Sequence, residues 1–202
     1  MKNQSVLITG GASGIGLAMV RKFATAGCNV FFIDRNAIEG QKLQLEEHEK
    51  GYHVKFFEAD ITDQTQIEKV IHSIPGKLTT LINNAGISHI GTAENTSEED
   101  FDRVYSVNVK GMFLCIKAAL PRLKEQGGGS ILNMCSVAAT IGLPDRFAYS
   151  MTKGAALSMT LSVARDYVQD GIRCNCISPG RVHTPFVDGF LARNYPGKEK
   201  EM

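Results

Sequence analysis

Residues 9–16, TGGASGIG, follow an apolar run at residues 4–9 and precede a segment of helical periodicity, residues 14–26. Three glycines, Gly10, Gly14 and Gly16, define this turn. Glycines let a backbone approach a pyrophosphate, and a helix N-terminus offers it free N–H groups and a positive dipole end. The spacing is not the general G-x-G-x-x-G motif, and a plain structural turn is the alternative. The position between strand and helix predicts a nucleotide-binding loop.

Outward from this loop, apolar β-rich runs alternate with helical segments along the whole chain. Strands are predicted at residues 4–9, 28–34, 53–59, 78–82, 130–136 and 172–178, and helices at 14–26, 36–50, 63–74, 97–127 (bending near Pro121) and 150–169. Nearly continuous apolar strands are buried on both faces, which is typical of a parallel sheet between helical layers. We therefore expect one α/β domain over residues 1–202, with a doubly wound parallel sheet.

The composition excludes several classes of protein. The chain has 202 residues, a net charge of +1 and 43% hydrophobic residues. It lacks the basic excess of a nucleic-acid-binding protein and the roughly 18-residue apolar run of a membrane span, and its start does not resemble a signal peptide. Five cysteines, an odd number, predict reduced thiols in a cytoplasmic protein. Cys174 and Cys176 are more typical of buried small residues than of a zinc site.

Acidic residues end the second and third predicted strands. Asp34 lies 18 residues after Gly16, where a carboxylate accepts hydrogen bonds from the adenosine ribose hydroxyls and repels a 2′-phosphate. Asp34 therefore favours NAD over NADP as the cofactor. Arg35 is the opposing signal, and we interpret it as a solvated arginine beside Asp34. Asp60, followed by Ile61, could meet the adenine edge or cap the next helix, and these roles are compatible.

Tyr149-x-x-x-Lys153 puts a phenol and an ammonium on one face of a predicted helix. A neighbouring ammonium lowers the pKa of a phenol, which is ordinarily near 10. Tyr149 could then exchange a proton with an alcohol or a ketone, although a surface pair is the alternative. Ser136 ends the fifth strand at the edge that faces the ligand crevice. Its hydroxyl could hold a substrate oxygen or only cap a turn.

Together these residues resemble the short-chain dehydrogenase/reductase family. The matches are Thr9–Gly16 to its TGxxxGIG loop, Asn83-Asn84-Ala85-Gly86 to its NNAG motif, Asn108, Ser136, Tyr149 and Lys153 to its Asn-Ser-Tyr-Lys tetrad, and Pro179-Gly180 with Thr184-Pro185 to its PG…T stretch. They run in order from residue 5 to about 187. The resemblance therefore covers nearly the whole chain.

The resemblance implies an NAD(P)-dependent enzyme acting on CH–OH groups. Tyr149 would be the acid/base, Lys153 would lower its pKa and bind the nicotinamide ribose, Ser136 would orient the substrate oxygen, and Asn108 would support a water of the proton relay. The implied cofactor contacts are Gly10, Ser13, Gly14, Ile15, Gly16, Asp34, Arg35, Asp60, Ile61, Asn84, Ala85, Gly86, Tyr149, Lys153, Pro179, Gly180, Val182 and Thr184. No metal is implied, because the phenol and the cofactor supply the chemistry.

The substrate class is less defined. Arg146, three residues before Tyr149, and Arg193, in a predicted substrate lid at residues 183–202, could grip a carboxylate, or could be ordinary surface charges. His89 could add a hydrogen bond. The segments RFAYSMTK, GIRCNCISPG and LARNYPG resemble a subgroup that includes 3-hydroxybutyrate dehydrogenase type 2 and 2-keto-3-deoxy-L-fuconate dehydrogenase. We expect a small hydroxy acid, sugar or sugar acid.

Members of the family usually continue past this length, with a helix and a seventh strand that the sequence lacks. The alternative function is therefore a nucleotide-binding protein without turnover, truncated or serving as a redox-sensing scaffold.

Members of the family usually form dimers or tetramers. The resemblance therefore also implies a homodimer or homotetramer, packed through the helices near residues 100–124 and 150–169. Ala118, Ala119, Ala155, Ala156 and Met159 would allow close packing there, or would pack against the chain's own sheet.

Overall fold

The computed structural model describes residues 4–184. The strands are β1 (Ser5–Thr9), β2 (Asn29–Asp34), β3 (Val54–Glu58), β4 (Leu78–Asn83), β5 (Gly129–Met134) and β6 (Ile172–Ile177). The helices are α1 (Gly14–Thr25), α2 (Ala37–Glu49), α3 (Gln64–Ser73), α4 (Glu98–Tyr105), α5 (Met112–Glu125) and α6 (Phe147–Asp166). A π-helical segment, Ser106–Gly111, joins α4 to α5, and 3₁₀ turns occur at Val137–Ala139 and Val168–Asp170. None of the helices described combines the length and apolar character needed to cross a membrane.

The strands form one parallel sheet in the order β3-β2-β1-β4-β5-β6. Leu7 of β1 pairs with Phe31 of β2 on one side and with Leu81 of β4 on the other. The order of strands reverses between β1 and β4, and at such a switch point the carboxyl ends of the strands open a crevice. The predicted doubly wound α/β fold is confirmed.

Alternate residues of the central strands pack into two separate cores. On one face, Val6 and Phe32 pack with residues of α1 and α2. On the other face, Leu7 and Ile33 pack with residues of α3, α5 and α6. Both faces of the central strands are therefore covered, which explains their continuous apolar runs in the sequence. Strand β6, in contrast, exposes Arg173 and Asn175 on one face.

Side chains cap the starts of α3 and α4, and the cap of α3 is Asp63 rather than Asp60. The Asp63 carboxylate accepts hydrogen bonds from the N–H groups of Thr65 and Gln66 at the start of α3. The Ser97 hydroxyl caps α4, whose first turn carries three acidic residues. Acids in a first turn interact favourably with the helix dipole. Helices α3 and α4 both begin within one residue of the predicted positions.

Two helices depart from the prediction. The long helix expected at 97–127 is divided into α4 and α5 by the π-helical segment, while α5 itself continues through Pro121. Helix α6 begins at Phe147, three residues early, because the Phe147 N–H donates to the Gly91 carbonyl in an isolated parallel bridge. This long-range hydrogen bond satisfies a helix-terminal donor in place of a cap, and it puts Tyr149 in the first turn of α6.

Candidate active site

A cleft of about 360 Å³ opens where the strand order reverses. The predicted site residues that border it are Gly10, Ser13, Gly14, Ile15, Asp34, Arg35, Asp60, Ile61, Asn84, Ala85, Gly86, Ser136, Tyr149, Lys153, Pro179, Gly180, Val182 and Thr184. They come from the carboxyl ends of all six strands or from the segments that follow them. The parallel sheet brings these separate motifs to one edge.

The glycine loop is shaped for a ligand that needs close backbone approach. Gly10 and Gly14 have φ angles of 66° and 53°, in the left-handed region that favours glycine. A Cβ on Gly10 would lie 2.9 Å from the Ala85 Cα, so the loop packs tightly on the segment after β4. Ser13 makes no side-chain hydrogen bond to the end of α1, and the first turn of α1 holds no acidic residue. The positive end of α1 therefore suits an anion such as a phosphate.

Asp34 connects the glycine loop to the end of β2. Its Oδ2 accepts a hydrogen bond of 2.9 Å from the Ala12 N–H, and its Oδ1 accepts one of 3.0 Å from the Asn36 N–H. Arg35 is 73% exposed, and its guanidinium lies 3.6 Å from the Asp60 carboxylate. Asp60 in turn accepts hydrogen bonds of 2.8 Å from the N–H and hydroxyl of Thr62. Arg35 is thus paired with Asp60 at the rim of the cleft rather than with Asp34.

The segment after β4 is fastened to the end of β1. The Thr9 hydroxyl accepts hydrogen bonds from the N–H groups of Asn84 and Ala85, at 3.0 and 3.1 Å. The Asn84 side-chain amide donates to the carbonyl oxygens of Thr9 and Gly10, both at 3.0 Å. These four bonds hold together the two loops on either side of the switch point.

Ser136, Tyr149 and Lys153 converge on the same cleft. Ser136 follows β5, and its hydroxyl accepts a 3.2 Å hydrogen bond from the Ala138 N–H. Tyr149 and Lys153 lie one turn apart on α6, with the Lys153 Nζ 5.7 Å from the centre of the Tyr149 ring. Lys153 is only 6% exposed, and its Nζ donates a 2.7 Å hydrogen bond to the Met134 carbonyl oxygen.

Burial dominates the titration of both groups. It raises the pKa of Tyr149, while the hydrogen bond with Ser136 and the charge of Arg146 act in the opposite direction. Burial also lowers the pKa of Lys153 to about 8. The sequence predicts a Tyr149 pKa lowered by Lys153, and the structure differs because desolvation of the phenol outweighs its favourable partners. Tyr149 is therefore protonated at neutral pH in this structure.

Asn108 lies behind the cleft rather than on its surface. It sits in the π-helical segment and is 2% exposed. A Cβ on Gly86 would lie 3.2 Å from the Asn108 Oδ1 and 3.6 Å from the Lys153 Nζ, so Gly86 leaves space between them. The Asn108 amide donates to the Ile87 carbonyl and to Thr152, and its oxygen accepts from the Ile87 N–H. Its side chain is thus engaged by protein groups.

Besides Asn108, three predicted residues within the described part of the chain do not border the cleft. Gly16 lies on the first turn of α1, where a Cβ would come 1.9 Å from the Gly10 carbonyl oxygen, so it serves the packing of helix on loop. His89 turns toward α4, with its Nδ1 3.8 Å from an Asp100 carboxylate oxygen. Arg146 borders a second cavity of about 450 Å³. The predicted substrate contact Arg193, and all but the first two residues of the predicted lid, lie outside the described residues.

Several apolar residues of the cleft escape prediction from the sequence. They are Ile33, Ala59, Ile87, Val107, Met134 and Cys135. Most adjoin a predicted site residue in sequence, as Ile87 adjoins Gly86 and Cys135 adjoins Ser136. Their position next to a predicted site residue was therefore the signal that could have identified them as cleft residues. In the sequence alone, however, an apolar residue of this kind cannot be distinguished from a residue of the hydrophobic core.

Comparisons with known proteins agree with this geometry. The family model "short chain dehydrogenase" matches residues 4–193. An uncharacterized oxidoreductase of Thermotoga maritima is 43% identical over 189 residues, covering 93% of this chain and 74% of the relative. A 2-(R)-hydroxypropyl-CoM dehydrogenase of Xanthobacter autotrophicus is 40% identical over 193 residues, covering 92% and 77%.

Solved structures share the whole arrangement of elements. A levodione reductase matches with a TM-score of 0.95 at 29% identity, covering 100% of this chain and 80% of the other. A gluconate 5-dehydrogenase from Burkholderia cenocepacia, solved with NADP and tartrate, matches with a TM-score of 0.89 at 28% identity, covering 95% and 76%. Each match spans most of both chains, so the likeness extends beyond the glycine loop to the whole sheet.

Proposed function

This chain belongs to the short-chain dehydrogenase family, and we propose that it is an NAD-dependent oxidoreductase that interconverts a secondary alcohol and a ketone. The observation that carries the proposal is the convergence of Ser136, Tyr149 and Lys153 on the cleft that the glycine loop borders. A protein that only bound a nucleotide would gain nothing from a buried ammonium beside a phenol, because burying that charge lowers stability. The arrangement supports proton transfer next to a bound nucleotide.

The cleft suits a dinucleotide along its whole length. Gly10 and Gly14 take left-handed conformations in front of the α1 N-terminus, as a pyrophosphate site requires. Asp34, at the end of β2, would meet the adenosine ribose, and Lys153 would bind the nicotinamide ribose; both residues border the cleft. When bound, the nicotinamide cofactor exchanges a hydride with the substrate carbon.

We propose NAD rather than NADP as the cofactor. The Asp34 carboxylate would repel a 2′-phosphate, and Arg35, which could attract one, is paired with Asp60 at 3.6 Å. Family membership alone does not choose between the two, since the related gluconate 5-dehydrogenase was solved with NADP. The preference therefore rests on these three side chains.

Proton transfer is assigned to Tyr149. Ser136 is close enough to Tyr149 to act on the pKa of its phenol, so one substrate oxygen could contact both hydroxyls, with Ser136 orienting it and Tyr149 giving or taking its proton. Burial raises the pKa of Tyr149, so the phenol is in its acid form at neutral pH, as ketone reduction needs. Alcohol oxidation needs the phenolate, so the rate of oxidation should rise with pH. Asn108 is proposed to support a relay water, and the hydrogen bonds of its side chain with Ile87 and Thr152 hold it in place behind the cleft.

The proposed substrate is a small hydroxy acid, sugar or sugar acid. The name of one similar protein, a gluconate 5-dehydrogenase, supports this class, while that of another, a 2-(R)-hydroxypropyl-CoM dehydrogenase, indicates a secondary alcohol more generally. Arg146 is close enough to Tyr149 to lower the pKa of its phenol, and it borders the neighbouring cavity with Thr92 and Ser150. A substrate carboxylate reaching from Tyr149 toward Arg146 would thus meet a cation.

A redox-sensing role is less well supported. Burial raises the pKa of Cys135 to about 12 and that of Cys174 to about 11. Thiols in this state react slowly, because the thiolate is the reactive form. These cysteines therefore suit packing better than redox sensing.

The proposal is tested first by thermal unfolding with NAD and, separately, with NADP. A ligand at a hundredfold excess over its Kd adds about 2.7 kcal/mol of stability, which for a chain of this size is a shift of roughly 5–10 °C. We expect the shift with NAD. A larger shift with NADP would overturn the role of Asp34, and no shift with either nucleotide would overturn the cofactor site itself.

Turnover separates an enzyme from a nucleotide-binding protein. We expect NADH formation from a panel of hydroxy acids and sugars, and a loss of about 10²–10⁴-fold in Tyr149→Phe, because general acid–base catalysis contributes that much. The variant should keep the thermal shift with NAD. Equal residual activity in the variant and the parent protein would support the binding alternative.

We further propose a homodimer or homotetramer. Three large apolar side chains on the helices near residues 100–124 and 150–169 are exposed in the single chain: Tyr105, Phe113 and Leu161. Ala119 and Ala156, in contrast, are fully buried against the chain's own sheet. Light scattering of the purified protein should give a mass of two or four chains, and a monomer mass would contradict this proposal.

A further inference from the structure

Two buried threonines on α6 have the same bonding pattern. The Thr152 hydroxyl donates to the Tyr149 carbonyl oxygen at 2.8 Å and accepts from the Asn108 side-chain amide at 3.0 Å. The Thr160 hydroxyl donates to the Ala156 carbonyl oxygen at 2.7 Å and accepts from the Asn133 amide at 2.9 Å. Both threonines are almost completely inaccessible to solvent. Each therefore joins α6 to a separate element through one hydroxyl.

The two threonines differ in what lies beyond their asparagine. From Thr152 the path leads through Asn108 to Ile87, whose N–H and carbonyl both bond to the Asn108 side chain at 2.8 Å. Ile87 borders the cleft. At the other end of this path, the Thr152 hydroxyl is bonded to the carbonyl oxygen of Tyr149 itself. Thr160, about 12 Å farther along the helix axis at 1.5 Å per residue, connects instead to Asn133, within β5.

We propose that Thr152 is a positioning residue for Tyr149, an inference that rests on the proposed function. Because the Thr152 hydrogen is directed at the Tyr149 carbonyl, its oxygen lone pair faces the Asn108 amide. The first turn of α6 is thereby held in register with the π-helical segment and with the cleft wall at Ile87. A buried network in which every member has a partner rigidifies its surroundings.

The test compares Thr152→Val with Thr160→Val. Valine keeps the shape of threonine but removes the hydroxyl, so each variant deprives an asparagine amide of a buried acceptor. We expect similar losses of melting temperature, because both sites are buried and singly bonded to an asparagine. We expect kcat to fall about 10- to 100-fold in Thr152→Val only, with KM and the Kd for NAD changed less than about threefold. Thr152→Ser, which restores the hydroxyl, should recover kcat.

A spectroscopic titration gives a readout that needs no substrate. The phenolate absorbance of Tyr149 is obtained by subtracting the spectrum of Tyr149→Phe in each background. Burial raises the pKa of Tyr149, and the charged or titratable groups near it, Arg146, Lys153 and Cys135, are unchanged in these variants. A loosened first turn admits water, so Thr152→Val should move the pKa of Tyr149 down toward the ordinary value of about 10. Thr160→Val should leave it in place.

The outcomes separate this inference from the proposed function. If Thr152→Val matches Thr160→Val in both kcat and the Tyr149 titration, Thr152 serves stability alone and the inference is wrong. If the parent protein oxidises no alcohol but the titration moves in Thr152→Val only, the positioning role stands and the proposed function falls. Thr152→Ala provides the same comparison if the valine variant does not fold.

Discussion

Lys153 is a buried charge that the fold would be more stable without. It is 6% exposed, and burial lowers its pKa from 10.5 to about 8. Methionine has a similar length and no charge, so Lys153→Met removes the desolvation and keeps most of the packing. We expect the variant to be more stable than the parent protein at neutral pH and to be inactive, because the ammonium beside Tyr149 is lost.

The magnitude follows from the pKa. Each pKa unit corresponds to 1.36 kcal/mol, so lowering the pKa from 10.5 to about 8 means that the buried charge costs about 3 kcal/mol at pH 7. Removing the charge therefore stabilises the variant by this amount. The variant also loses the hydrogen bond to the Met134 carbonyl oxygen, which costs it about 1 kcal/mol. The net gain of about 2 kcal/mol corresponds to a rise in Tm of roughly 4–8 °C for a chain of this size.

The advantage of the variant has a defined pH dependence. Below pH 8, Lys153 is charged in both the folded and the unfolded chain, so the cost of burial is present in full. Between pH 8 and 10.5 the folded lysine loses its proton first, the unfolded chain binds more protons, and the stability of the parent protein rises relative to the variant. The difference between the two proteins should therefore shrink through that window.

The assay is urea unfolding of the parent protein and Lys153→Met at pH 7 and at pH 10. Lys110→Met, at an exposed position of the π-helical segment, controls for the loss of one positive charge. Comparing differences between variants cancels the titration of tyrosines and cysteines that all three proteins share. A Lys153→Met protein that is less stable than the parent at pH 7, by an amount independent of pH, would refute the reasoning.

Three further substitutions test the loop, the cofactor preference and the helix end. Gly10→Ala should abolish the thermal shift with NAD and destabilise the fold by roughly 1–2 kcal/mol, because the φ angle of 66° is strained for alanine and the Cβ would crowd Ala85. Gly142→Ala, with open space around it, is the control. Asp34→Ala should lower the ratio of the NADP Kd to the NAD Kd about tenfold, since the repulsive charge is removed, and calorimetry that finds an unchanged ratio would count against the role of Asp34. Arg122→Ala should cost about 2 kcal/mol in urea unfolding while leaving NAD affinity unchanged, because its guanidinium donates to three carbonyl oxygens at the end of α3.

Local patterns determined most of the fold in advance. The apolar run before the glycine loop and the acid at the end of β2 are properties of short segments, as are the caps at Asp63 and Ser97. The alternation of strand and helix then restricts the sheet to parallel pairing with a switch point. Where a feature depended on a bond between distant segments, prediction failed. The early start of α6 depends on Gly91, and nothing near Phe147 in sequence reveals that bond.

The sequence by itself determined which chemical groups are present and the order in which they reach the sheet edge. The spacing of Tyr149 and Lys153 guaranteed one helix face, and Ser136 had to follow a strand. Only the tertiary structure decided their environment, because desolvation depends on every neighbour that excludes water, and those neighbours come from all parts of the chain. Burial therefore raises the Tyr149 pKa where the local pair predicts a lower one, and assembly of α6 against the π-helical segment brings Thr152 to Asn108.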